Sequence, residues 1–323
     1  MDTIKQKRYF MCTAFHYREN GSYMGRNMDI EFPLEQKITI TPRQYILRTK
    51  HQQPLNNHYA IIGMSTLVDD YPLYYDACNE YGLCMSALAF RDNAHYLPFN
   101  EERINLASYE LIPYVLATSK NVKEALDLIG KVNLTAEQFN SDFPVSPLHF
   151  FVCDNDGSIT VEPTPDGIRI YENPVGVLTN NPPFLSILDY LSNFISLSNK
   201  ELSERTICNT NVKAQTRGLS AVGLPGDLTS PSRFVRASFI KSHIASNGTK
   251  KSEISSAFHI LSAVEQQRGL VMVGTLLEYT AYSAVIDMQN ASYHYRTYDG
   301  TCTKTISLRE MNLDSDSLIA IDA

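Results

Sequence analysis

The stretch MCTAFHYRENGSYMGRNMD, residues 11–29, decides how this chain reads. Cys12 directly follows a methionine. Such a cysteine can become the first residue of a mature chain, with a thiol and a free α-amino group on one residue. An α-amine titrates at roughly pH 8, so it can take the proton of its own thiol and replace a histidine base. Cys12 to Tyr17 alternates as a strand, Asn20-Gly21 signals a tight turn, and Ser22 to Arg26 runs back. The predicted hairpin returns Arg26 and Asp29 towards Cys12. There Arg26 would favour the thiolate and Asp29 would hold an α-ammonium.

Amide cleavage by a thiol needs a thiolate, a proton acceptor, donors for the oxyanion and something to orient them. The hairpin supplies the first two and the last. Asn side chains and backbone N–H groups could supply the donors, and spacing alone does not choose among the asparagines.

The rest of the chain bounds the reading. It has 323 residues, 43% of them apolar, which suits a globular protein with a sizeable core. The net charge is −7 and the longest basic run is Lys5-Gln6-Lys7-Arg8, which argues against nucleic acid as a partner. No apolar run reaches the roughly 20 residues of a membrane helix. Residues 1–11 read as an upstream extension or pro-segment, and 12–323 as a single domain without linkers or repeats.

Six cysteines stand at 12, 78, 84, 153, 208 and 302. Without a CxxC pair, an HExxH or an export signal, the expectation is a reducing cytoplasm and no metal or cofactor. Cys78, Cys84, Cys153, Cys208 and Cys302 are each expected to be small buried hydrophobes.

Strands are expected at Lys37–Thr41, Tyr59–Met64, Leu83–Phe90, His149–Cys153, Ser158–Glu162, Gly167–Tyr171, Gly176–Leu178, Thr280–Ile286 and Ser292–Tyr298. Helices are expected at Ala107–Ala117, with a kink at Pro113, and at Val122–Ile129, Phe184–Leu197, Pro231–Ala245 and Ser252–Gln267. Ser230 would cap the fourth of these. The order of strands, helices, strands, helices, strands suggests two sheets packed together under outer helices, an α+β chain.

The segments MCTAF, GRNMDIEF, YDACNEYGLCMSALAF, GVLTNNPPF and GLPGDLTSPSRF together resemble the choloylglycine hydrolase family. That family holds bile salt hydrolases and penicillin V acylases, within the N-terminal-nucleophile hydrolases. The likeness runs from Met11 to the last strands. It implies an αββα four-layer sandwich, a homotetramer, and hydrolysis of glycine- or taurine-conjugated bile acids without a cofactor. A penicillin V or N-acyl-homoserine-lactone acylase would share the same machinery.

By that resemblance the nucleophile falls on Cys12, with Arg26, Asp29, Asn180 and Arg233 beside it. The backbone N–H of Ala89 becomes an oxyanion donor. Bile salt hydrolases usually carry Asn at this position and penicillin V acylases Tyr. Alanine keeps the donor and lacks the side chain that separates the two subfamilies. The resemblance also places Met28, Leu67, Tyr75, Phe139 and Phe143 at or near the acyl pocket.

Plainer readings exist for several residues. Asn180 could only form a turn before Asn181-Pro182, and Arg26 and Asp29 could be a surface ion pair. Asn79 reads as structural, and the GLPG stretch at 223–226 as a turn. A papain-like enzyme would need His149, which lacks the accompanying cysteine signature. A non-catalytic amphiphile binder would need no thiol at all.

Overall fold

The computed structural model describes residues 11–33 and 35–323, so the upstream extension apart from Met11 lies outside the described residues. The opening hairpin forms as the alternation requires. β1 (Met11–Arg18) and β2 (Ser22–Ile30) pair antiparallel from Met11 opposite Asp29 to Arg18 opposite Ser22. Gly25 sits opposite Phe15, and a Cβ there would meet the Phe15 ring at 2.1 Å, so only glycine fits.

The chain continues through β3 (Lys37–Thr41), β4 (Ile61–Val68), β5 (Tyr71–Asn79) and β6 (Cys84–Ala89). Next come β7 (Ile104–Ala107), α1 (Leu111–Thr118), α2 (Val122–Ile129) and β8 (Val132–Thr135). β9 (Leu148–Cys153), β10 (Ser158–Thr164), β11 (Gly167–Glu172) and β12 (Val177–Leu178) precede α3 (Phe184–Tyr190). A small hairpin, β13 (Glu204–Ile207) and β14 (Thr210–Lys213), leads to α4 (Ser230–His243) and α5 (Lys250–Ser262). β15 (Val271–Val273), β16 (Leu276–Asp287), β17 (Ser292–Thr297), β18 (Lys304–Ser307) and β19 (Ile319–Asp322) close the chain.

Two large sheets result. One has the order β12-β1-β2-β16-β17-β18, with β15 on β16; the other runs β11-β10-β9-β6-β5-β4-β3-β19. One apolar cluster fills the space between the sheets and continues under α4 and α5, through Phe15, Met24, Leu88, Phe151, Phe234 and Leu261. A second, with Leu111, Val115, Ala125, Met85 and Phe150, lies between the second sheet and α1 and α2. The layers are therefore helix, sheet, sheet, helix, as expected.

Some local readings are corrected. The segment from Ala107 is not helical at its start: β7 ends there, a single 3₁₀ turn follows, and α1 begins at Leu111. Pro113 then falls in the first helical turn, where its missing N–H costs nothing, and no kink is required. Thr229, not Ser230, is the N-cap of α4, and the Ser230 hydroxyl serves the site described below. Asn121 caps α2 by accepting from Glu124 N–H. Cys78, Cys84 and Cys153 are buried, but Cys208 and Cys302 are exposed, Cys208 in the positive-φ turn of the β13–β14 hairpin.

Candidate active site

The first sheet is polar where it carries the site, and its two faces divide the work. Strand alternation puts Cys12, Met28 and Arg26 on the side facing the second sheet. Thr13, Asn27 and Asp29 face α4 and α5. Cys12 lies near an open edge, because β12 pairs β1 only at Ala14 and Phe15. Its backbone is taken up by side chains instead. Cys12 N–H donates to Asn180 Oδ1 at 2.8 Å, and Cys12 C=O accepts from Arg233 Nη1 at 2.7 Å.

Arg233 is wholly buried and joins the pieces. It also donates to Thr13 Oγ1 (2.6 Å), Asn180 Oδ1 (2.8 Å) and Leu228 C=O (3.2 Å), and lies 3.8 Å from Asp29 Oδ2. Asp29 Oδ1 accepts from Thr280 Oγ1 at 2.6 Å. Burial pushes the Asp29 carboxyl up to about 6, against the pull of Arg233 and Thr280. Glu278, on the same strand as Thr280, is pushed up to about 7 by burial and by the Asp29 charge. Two acids thus share one guanidinium.

Arg26 approaches from the other face. Its Nη2 donates to Ala87 C=O at 2.6 Å and to Met28 Sδ at 3.3 Å, and its Nε lies 3.9 Å from Asp76 Oδ2. Asp76 accepts hydrogen bonds from both Tyr282 and Tyr293 hydroxyls. All four side chains are buried. The Cys12 thiol is also buried, and that raises it to about 11, while Arg26 and Arg233 pull it down and Asp29 opposes them. So the site stands with a protonated thiol while Met11 is attached.

Asn180 links Cys12 to the second sheet. Its Nδ2 donates to Ala89 C=O at 2.9 Å, and its N–H to Ser230 Oγ at 2.9 Å. Next to it, Asn181 Nδ2 donates to Arg91 C=O at 2.7 Å. Phe90 N–H bonds to Pro147 C=O, while Leu148 N–H, opposite Ala89, goes to the Tyr96 hydroxyl. The alternation of an antiparallel ladder therefore turns the Ala89 N–H away from β9, to the side where Asn180 sits.

A cavity of about 700 Å³ opens beside this cluster, with Met28, Tyr75, Ala87, Phe139 and Phe143 among its walls. Met28 Sδ lies 3.8 Å from Cys12 Sγ, so one side chain stands between thiol and cavity. Leu67 is not part of that wall: it sits half-buried opposite Pro72, and the neighbouring Thr66 and Leu73 line the cavity instead. A cleft of similar size, about 750 Å³, lies at the far end of β1 by His16 and Lys241, and Cys12, Arg26 and Asn180 do not line it.

Asn79 is structural: its side chain bonds Leu116 and Ser119 carbonyls and the Tyr81 and Leu83 N–H groups. His149 donates through Nε2 to Thr179 C=O at 2.9 Å and stacks on Phe90. Its other nitrogen faces Glu162 at 3.5 Å, so the ring is not Cys12's partner. Among the described residues no three His, Cys, Asp or Glu side chains come together to hold a metal.

Three residues of this cluster have no sequence signal, Tyr282, Tyr293 and Glu278, and Asp76 falls in the family-like segment YDACNEYGLCMSALAF without being marked as the partner of Arg26. Asp76 and its two hydroxyl donors are 206 and 217 residues apart in the chain. Only the fold brings them to Arg26.

Residues 12–321 match the family described as linear amide C–N hydrolases, choloylglycine hydrolase family. A bile salt hydrolase/transferase of Lactiplantibacillus plantarum is 43% identical over 96% of both chains. A second of the same name, from Clostridium perfringens, is 31% identical over 95% of both. The solved structure of a mutant conjugated bile acid hydrolase from Clostridium perfringens superposes with a TM-score of 0.91 over 97% of both chains, at 29% identity. Penicillin V acylase from Agrobacterium tumefaciens, at 21% identity and a TM-score of 0.77 over 96% of this chain and 91% of its own, shares the fold. The chain belongs to the choloylglycine hydrolase family and is an amide C–N hydrolase.

Proposed function

We propose that the chain hydrolyses the amide bond of glycine- or taurine-conjugated bile acids, with Cys12 as nucleophile once residues 1–11 are removed. One observation carries this reading. The Cys12 nitrogen already rests 2.8 Å from Asn180 Oδ1, with Asp29 opposite Met11, so cleavage would leave an α-amine held beside its own thiol.

In this scheme the α-amine takes the thiol proton. The thiolate attacks the carbonyl carbon, a C–S bond forms, and the oxyanion is met by Ala89 N–H and Asn180 Nδ2, an amide nitrogen that can serve two acceptors at once. Collapse breaks the C–N bond, and the leaving amine takes its proton from the α-ammonium. Water then gives one proton to the amine and attacks the thioester carbon; collapse breaks the C–S bond, the amine passes that proton to the departing sulfur, and the thiol and the free acid separate. The new ammonium and Arg26 both lower the thiol from the value burial imposes. Arg233 and Asp29 fix the backbone of Cys12. Met28, Tyr75, Phe139 and Phe143 offer an apolar wall to the steroid, at roughly 25 cal/mol per Å² of buried area.

Turnover of taurocholate, glycocholate and penicillin V, with the mass of the active chain, tests the reading. The expectation is faster turnover of the cholates by a chain that begins at Cys12. A preference for penicillin V, or full activity with Met11 retained, would overturn it.

Asp76 holds Arg26 in this scheme without touching substrate. Asp76→Asn is expected to lower kcat by about 10²-fold with little change in KM, the size of effect that loss of positioning produces. Alkylation of Cys12 by iodoacetamide should shift to higher pH, since a displaced Arg26 no longer favours the thiolate. An unchanged alkylation profile would show that Arg26 needs no anchor.

The cytoplasm is the compartment that fits, supported by the free thiols of Cys78, Cys84 and Cys153 on neighbouring strands. A homotetramer is supported by the apolar residues Ile195, Ile207, Val212 and Val222, exposed on and around the β13–β14 hairpin. Light scattering that returned the mass of one chain would contradict it.

A further inference from the structure

The cavity is apolar within and acidic at its rim. Its charged lining residues are Glu35, Asp92 and Asp142, with Arg91 as the one Lys or Arg among the described lining residues. Arg91 is two residues beyond Ala89, and the two backbones are fastened in step: Asn180 holds the Ala89 carbonyl and Asn181 holds that of Arg91. This ties the position of the Arg91 backbone to the oxyanion donor.

The Arg91 side chain is 59% exposed, with Nε 3.3 Å from Asp92 Oδ2. It therefore lies at the rim, one short step from where the amide carbonyl must sit. With the acyl body inside the apolar cavity, the part of the substrate that extends past Ala89 is the leaving amine.

On the proposed substrate class, that amine ends in an anion: a carboxylate one carbon from the nitrogen in glycine, a sulfonate two carbons away in taurine. A guanidinium is a planar fork of donors matched to such oxyanions, and it remains charged throughout the working pH range. Three carboxylates otherwise surround the entrance, and they would repel the tail.

We propose that Arg91 is the specificity-determining residue that receives the anionic terminus of the leaving group. The inference rests on the amide-hydrolase reading of Cys12, and it predicts selection by charge, not by the length of the tail. Asp92 orients the fork from its Nε side.

The test uses the mature enzyme and three amides of one steroid acid: taurocholate, glycocholate and neutral cholyl glycinamide. In Arg91→Ala, KM for the two anionic conjugates relative to that for the neutral amide is expected to rise about five- to tenfold, the range between an exposed ion pair and a charge-assisted hydrogen bond. Arg91→Lys should recover part of the ratio by restoring charge without the fork. An unchanged ratio in Arg91→Ala, with all three amides still hydrolysed, overturns the role of Arg91 and leaves the function intact. If the parent enzyme cleaves none of the three, the function and this inference fall together.

Discussion

Cys12→Ala is expected to lose amide hydrolysis by about 10⁴-fold or more, the scale seen when a nucleophile that works as a unit with its base is removed. The fold should survive. Cys12 is a small buried side chain against Met28, and alanine removes only the sulfur. The backbone bonds from Cys12 to Asn180 and Arg233 do not use the side chain. Binding of conjugated bile acid should persist, because the cavity wall is made by other residues. A variant that still turned over substrate at the parent rate would remove the nucleophile from the scheme and leave an amphiphile-binding protein in its place.

Arg233→Ala should be the most damaging single change to stability, at about 3–5 kcal/mol, the cost of leaving a buried charge without its partner. Asp29 would lose its nearest cation while Thr280 still donates to it. The Cys12 carbonyl and Asn180 Oδ1 would each lose a donor as well. The sign of the pH effect follows from Asp29. Its folded value, about 6, lies above the ordinary carboxyl value of roughly 4, so its protonation favours the folded state. That contribution is complete below about 4 and fades as pH rises through about 6. Without Arg233 the upper edge moves higher still. Urea unfolding should therefore show a larger deficit for the variant at pH 8 than at pH 5. An equal deficit at both would mean that Asp29 is not the charge left stranded.

Much of this was legible in the chain, for identifiable reasons. The Cys12 hairpin is readable because alternation, an Asn-Gly turn and short range act together. Two sheets under helices follow from the order of strand-like and helix-like segments. The catalytic candidates Arg26, Asp29, Asn180 and Arg233 do converge, and the segments that resemble the family mark all of them. What local reading missed is set by tertiary contact. Ser230 has every property of a cap, yet its hydroxyl is claimed by Asn180. Pro113 looks like a break until the preceding residues are seen to be a strand and a turn. Leu67 is apolar and close in sequence to the wall, but it pairs with Pro72 and misses the cavity. Asp76 stands in a segment that resembles the family, but its role beside Arg26 goes unread, because its hydroxyl partners lie at the other end of the chain.

Strand β16 skips a step against β2 between Thr280 and Tyr282. Residues two apart in a regular strand point the same way; this irregularity sends Thr280 to Asp29 and Tyr282 to Asp76, on opposite sides of the sheet. One strand therefore equips two separate electrostatic compartments, each with its own guanidinium, divided by a layer of backbone. They meet at a single residue, whose sulfur belongs to one chamber and whose nitrogen is governed from the other.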